Sequence, residues 1–217
     1  MRGIHAWVSL RNPRRIRYNL RVFSKGMKTG VLILRKVRDY LVLLGIAGGI
    51  VALDQWTKYL VRSRLAFGEA WSPWEWLMPY ARIVHWNNTG AAFGLFPAAG
   101  VIFTIVAILV SVAIIYYYPR VPKNQIGVRI ALPMQLAGAL GNLIDRLSIG
   151  TVTDFVSLGA FPVFNVADAS ISIGVAVLVV VMFLEDRRTR RQVKATQEDV
   201  DETEEEGSAP EEENSLG

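Results

Sequence analysis

Asp54 and Lys58 stand four residues apart, Asn142 and Asp145 three apart with Arg146 beside them, and Asn165 and Asp168 three apart. Each set lies at the end of an apolar stretch, and these spacings put the members of a set on one face of a helix. Ionisable side chains in such surroundings are costly and mark functional sites. Two carboxylates brought together at low dielectric cannot both ionise, so they share a proton. One can then activate a water while its protonated partner polarises a peptide carbonyl, as in aspartic proteases. Asp145 and Asp168 are the candidate pair, because a short connection makes their segments neighbours. Asn142 and Asn165 would supply neutral donors to it, and Arg146 a cation for a backbone carbonyl. The chain has no cysteine and two histidines. That removes thiol nucleophiles, disulfides, Cys-bearing metal sites and three-histidine centres, so neither a metal nor a cofactor is expected.

The elements that must position these residues are apolar and long. The 217 residues are 52% hydrophobic, and four stretches at about 39–61, 98–118, 128–146 and 164–184 approach the ~20 residues that cross a bilayer as a helix. At ~1.5 Å per residue, Asp54 falls roughly 22 Å along the first helix, Asp145 roughly 26 Å along the third, and Asp168 about 6 Å inside the outer end of the fourth. Asn88 to Gly94, before the second stretch, belong to the same layer. The residue pattern alone also admits a small proton- or ion-coupled carrier, or a non-catalytic scaffold. A carrier, however, places its polar groups near the midplane, whereas these gather at one edge.

Charge sets the expected orientation. Residues 1–38 hold eleven Lys or Arg and no acid, and ten of the 19 acids lie between Glu198 and Glu213. The net +5 therefore averages a strongly basic body and an acidic tail. Basic residues also dominate 119–129 and 187–194, which puts both termini in the cytoplasm. The loop 62–97 carries Trp71, Trp74, Trp76 and Trp86 and reads as an interfacial segment. Thr151 to Val156 alternates polar and apolar and reads as a short strand. Three regions result: a basic cytoplasmic tail over 1–38, a membrane core over 39–186, and a charged, disordered cytoplasmic tail over 187–217.

The strings Asp54-Gln55-Trp56-Thr57-Lys58, Asn88-Thr89-Gly90-Ala91-Ala92-Phe93, Gly141-Asn142-Leu143-Ile144-Asp145-Arg146, Val152-Thr153-Asp154-Phe155 and Phe164-Asn165-Val166-Ala167-Asp168 resemble, in order, the motif series of bacterial lipoprotein signal peptidase, or signal peptidase II. The resemblance spans about 39–184. It implies an all-α integral membrane protein of four transmembrane helices, with a small extracytoplasmic β element and an interfacial amphipathic helix. The activity implied is an intramembrane aspartic endopeptidase that cuts diacylglyceryl-modified prolipoproteins before the lipidated cysteine. By the same resemblance, Asp145 and Asp168 are the catalytic dyad. Asn142, Arg146, Asn165 and Ala167 line the site, and Asp54, Lys58, Asn88 and Gly90 support substrate binding or structure. It further implies a monomer in the bacterial inner membrane, in contact with lipid, sensitive to globomycin, without cofactor or nucleic-acid partner, and with its site near the extracytoplasmic face.

Overall fold

The computed structural model describes residues 13–90 and 99–207. The first twelve residues of the basic tail, Ala91 to Phe93 of the second motif, and the last ten of the acidic tail lie outside the described residues. Helices α1 (Pro13–Arg64), α2 (Ala99–Tyr117), α3 (Ile126–Ile149) and α4 (Val166–Gly207) contain the four apolar stretches. Strands β1 (Ala70–Trp71), β2 (Ala81–Asn88) and β3 (Val152–Leu158) form one antiparallel sheet in chain order. Gly100–Arg120 and Val166–Lys194 are long and apolar enough to cross a membrane by length and composition.

Polarity is distributed inside out. Ile102, Leu109, Val112, Val179 and Phe183 are exposed, while Asp54, Lys58, Asn142, Asp145 and Asn165 are buried. A protein in water would leave such a large apolar surface uncovered, whereas lipid covers it without cost. α3 is the central helix and packs on α1, α2 and α4. A core of Leu43, Ala47, Ile114, Tyr118, Leu136 and Ala137 joins α1, α2 and α3.

The α3–α4 contact is set by glycine. A Cβ on Gly138 would lie 2.4 Å from the Ala167 carbonyl oxygen, and one on Gly141 2.7 Å from Asp54 Oδ2. Close backbone approach of this kind is how helices pack where small residues face one another. Pro133 sits inside α3, so the carbonyl of Arg129 loses its usual i+4 donor. The Tyr118 hydroxyl donates to that carbonyl at 3.2 Å. The Arg129 guanidinium in turn meets Asp39 at 2.6 Å and lies over the Tyr118 ring.

The described part of the Trp-bearing connection holds β1, one 3-10 turn at Glu75–Leu77, and β2, while residues 91–97 of the region expected to carry the interfacial helix lie outside the described residues. Pro73 and Pro79 bracket too few residues for a longer helix. Trp71, Trp74, Trp76 and Trp86 are exposed there. The tails differ from expectation: α1 begins at Pro13, and α4 continues to Gly207 where disorder was expected. Between Glu185 and Glu206 there is neither proline nor glycine, and Lys, Arg, Glu and Gln are good helix formers. One turn there carries an Arg190–Asp186 ion pair at 2.8 Å.

Candidate active site

The site lies where the C-terminal ends of α1 and α3 and the N-terminal end of α4 meet the sheet. α3 ends on Gly150 in the left-handed region, φ 81°, which reverses the chain and starts β3 two residues later. β3 therefore folds back over the last turns of α3, and the Thr153 amide donates to Asp145 Oδ2 at 3.0 Å. α4 begins with a reciprocal cap. Asn165 Oδ1 accepts from the Asp168 amide at 2.9 Å, and Asp168 Oδ2 accepts from the Asn165 amide at 3.2 Å. This is a capping box with aspartate in the usual glutamate place. A second open donor of that helix start, the Ala167 amide, is met by Asp54 Oδ1 at 2.9 Å. Asp54 so serves as an anion on the positive end of α4, reaching it across Gly141.

Lys58 is fully buried and binds three partners: Asp54 Oδ2 at 2.8 Å, Asp145 Oδ2 at 3.2 Å and Asn142 Oδ1 at 3.0 Å. Asp145 also meets Arg62 at 3.6 Å and accepts from Gln55 Nε2 at 3.2 Å. Two cations and an amide donor thus surround this carboxylate. The expected pairing of Asp145 with Asp168 is therefore not what the structure builds. Asp145 points into the α1–α3 interface, and the Lys58–Asn142 link separates it from Asp168.

Asp168 instead shares a neutral amide network with Asp154 of β3. Asn142 Nδ2 donates to Asp168 Oδ1 at 2.7 Å, and Asn142 Oδ1 accepts from Asn165 Nδ2 at 3.1 Å. Asn165 Nδ2 also lies 2.7 Å from Asp154 Oδ1, and Asn88 Nδ2 lies 3.0 Å from Asp154 Oδ2. Asn88 is diagonal to Asp154 across the β2–β3 ladder, where Asn88 pairs with Val152. Its own oxygen accepts from the Gly90 amide at 3.0 Å. No salt bridge neutralises Asp154 among the described residues. Its pKa is pushed up to about 7, first by burial and next by the Asp168 charge, against the hydrogen bonds from Asn88 and Asn165 and the more distant Lys58 charge.

A cavity of about 460 Å³ adjoins this network. Asn88, Gly90, Asn142, Arg146 and Asp168 line its polar end. Its apolar wall comes from α2, including Phe103, Val106 and Val110, and from Ile171 of α4. Arg146 lies over the Phe103 ring with its guanidinium carbon 5.7 Å from the centroid. Among the described residues, no group of three or more His, Asp or Glu side chains is arranged to hold a metal ion.

Of the residues expected from sequence, Asn88, Gly90, Asn142, Arg146 and Asp168 reach the cavity, and Asn165 stands directly behind it. Asp54, Lys58, Ala167 and Asp145 form the buried ionic layer beneath. Sequence reasoning passed over Asp154 and Gln55, although both lie inside quoted strings. The inward side of the short alternating strand was the available signal for Asp154.

A family model described as "Signal peptidase (SPase) II" matches residues 46–184. Similar curated proteins include a "Lipoprotein signal peptidase" of Enterococcus faecalis, 34% identical over 153 residues, with 70% of this chain and 93% of that protein covered. One of Acinetobacter baylyi is 36% identical over 163 residues, covering 70% and 87%. One of Staphylococcus aureus is 32% identical over 151 residues, covering 68% and 90%. A solved structure described as a bacterial membrane enzyme determined by the in meso method at 2.3 Å superposes with a TM-score of 0.61 at 30% identity, covering 66% of this chain and 88% of that one.

Proposed function

The chain belongs to the signal peptidase II family, and from that premise we propose that Asp154 and Asp168 carry the chemistry by which it removes signal peptides from prolipoproteins. The protein is a membrane-bound peptidase, and the reading concerns how its residues divide the work. The observation that carries it is the contrast between two buried aspartates. Asp145 is neutralised by Lys58 and Arg62, whereas Asp154 is bound only by amides and faces the charge of Asp168.

Asp168, open to the cavity and held by two donors, is the ionised member. It takes a proton from a water as the oxygen attacks the scissile carbonyl carbon. Asp154, protonated below about pH 7, gives its proton to the carbonyl oxygen. The tetrahedral intermediate then collapses: the proton on Asp168 passes to the leaving nitrogen as the C–N bond breaks, and a hydroxyl of the intermediate returns a proton to Asp154 as the carbonyl re-forms. Asn88 bridges the cavity and Asp154, so an incoming substrate displaces the Asn88 amide and exposes the acid. Arg146 offers its guanidinium to a substrate carbonyl at the cavity's polar end. Asp54, Lys58, Asp145 and Ala167 position the dyad by fixing α4 against α1 and α3.

The same reading puts all four helices across the inner membrane, both termini in the cytoplasm and the sheet outside. The exposed tryptophans of the β1–β2 connection lie at the outer interface. Residues 39–186 act as the monomeric core, with 1–38 and 187–217 as cytoplasmic extensions. A globomycin-type cyclic peptide competes for the cavity.

Cleavage of a lipidated prolipoprotein by reconstituted variants tests the assignment. Asp168→Asn and Asp154→Asn each reduce kcat by about 10³-fold or more, near the scale of losing a general acid or base, with the fold retained. Asp145→Asn, by contrast, lowers thermal stability and keeps measurable turnover. Near-normal turnover in Asp154→Asn together with an inert, well-folded Asp145→Asn would restore Asp145 to the dyad.

A further inference from the structure

Among the described residues, Gln135 is the one polar side chain at the apolar end of the cavity. It lies seven residues before Asn142 on α3, two helical turns, so its level is about 10 Å deeper than the dyad's amide network. Its Nε2 is buried and has no hydrogen-bond partner among the described residues. Buried amide donors are nearly always paired, and an apolar residue of the same volume would fill this position more favourably. The stem is held in place, since a Cβ on Gly174 of α4 would lie 3.1 Å from Gln135 Cγ. The neighbouring Met134 carbonyl is tied to Ser170 Oγ at 2.6 Å, which fixes α3 against α4 at this level. Val106, Ala107, Val110 and Ile171 surround the cavity here and offer no acceptor from their side chains.

We propose that Gln135 is a specificity-determining residue for the peptidase reaction, donating its amide N–H to a carbonyl oxygen of the substrate's membrane-buried part. The inference rests on the peptidase reading above. With the scissile bond at Asp168, two kinds of substrate carbonyl reach a point about 10 Å deeper. One is the acyl ester of the diacylglyceryl group, some six bonds beyond the cysteine Cβ. The other is a peptide carbonyl of the signal segment about three extended residues upstream. Both are acceptors and fit the lone donor. Because the bond forms on binding and persists through the reaction, its loss appears in KM and leaves kcat nearly unchanged.

The test uses the full-length protein in lipid, with synthetic lipobox peptides carrying ester-linked diacylglyceryl, ether-linked dialkylglyceryl, or a thioamide at one position from P2 to P4. Wild-type enzyme is expected to show a KM about tenfold higher for whichever substrate lacks the acceptor, the scale of one neutral hydrogen bond. Preference for ester over ether identifies the lipid carbonyl. Indifference to ether with sensitivity to one thioamide identifies the peptide carbonyl. Gln135→Met should show the raised KM on the normal substrate, no discrimination between substrates, and a thermal midpoint equal to or above that of wild type. Equal KM for wild type and Gln135→Met on every substrate would overturn the proposal. Should the variant fold poorly, wild-type enzyme that shows neither preference overturns it equally. A wild-type protein that cleaves no lipidated substrate would overturn the parent reading and this one with it.

Discussion

Asp145 and Asp154 are nine residues apart, both buried, and both near the same asparagines, yet their surroundings are opposite in charge. The difference is Lys58, whose ammonium takes Asp54 and Asp145 and leaves Asp154 to amides alone. The pKa of Asp154 rises from an ordinary 3.8 to about 7 on folding. Between those values the native state holds a proton that the unfolded chain has released, so stability falls as pH rises through this window and levels off above about 7. Thermal midpoints from pH 4.5 to 8 should show that slope in wild type, and Asp154→Asn should flatten it. If Asp154 is the acid, kcat/KM also declines above about pH 7, as a property of the coupled pair. Most polar site residues were legible from their spacing. Asp154 was not, because depth counted along helices has no term for a strand that turns back at Gly150, and spacing does not say which carboxylate a cation will take.

The apolar stretches announced the four helices, and the sheet needed only the alternation of 151–156 and the residues that pair with it. The way α3 and α4 touch could not be read, because the same glycines suit a bend, a turn or a close crossing. In the folded protein Gly138 and Gly141 let α3 pass directly over the start of α4. Gly138→Ala should separate these helices, disturb the Asn165–Asp168 cap and cost several-fold in cleavage together with a lower thermal midpoint. Tyr118→Phe is the contrasting case. It strips the donor from the Arg129 carbonyl at the end of the bundle away from the sheet and should cost about 1 kcal/mol of stability with kcat/KM unchanged. Paired unfolding and cleavage measurements separate the two outcomes.

Across the whole molecule, charge and polarity divide into layers. Acid and base are concentrated in the extensions, while the interior holds one ionic layer at the level of the site and a second at Asp39–Arg129. The sequence showed the opposite signs of the extensions but not their helicity, since composition rich in charge fits a solvated helix as well as a loose chain. The long continuations of α1 and α4 lie outside the region that matches the family. Removal of residues 187–217 should therefore leave cleavage and insertion intact, and a loss of turnover in correctly inserted protein would assign that extension a part in the reaction.

The two ionic layers join α1 to α3, and the upper one also ties α4. α2 packs on α3, yet no ion pair ties it to another helix among the described residues, and it supplies the apolar wall of the cavity. Three helices thus form a riveted frame and the fourth leans against it like an unlatched door. On the peptidase reading proposed above, a substrate held in the bilayer enters sideways, and α2 is the wall whose displacement breaks no charge pair among the described residues.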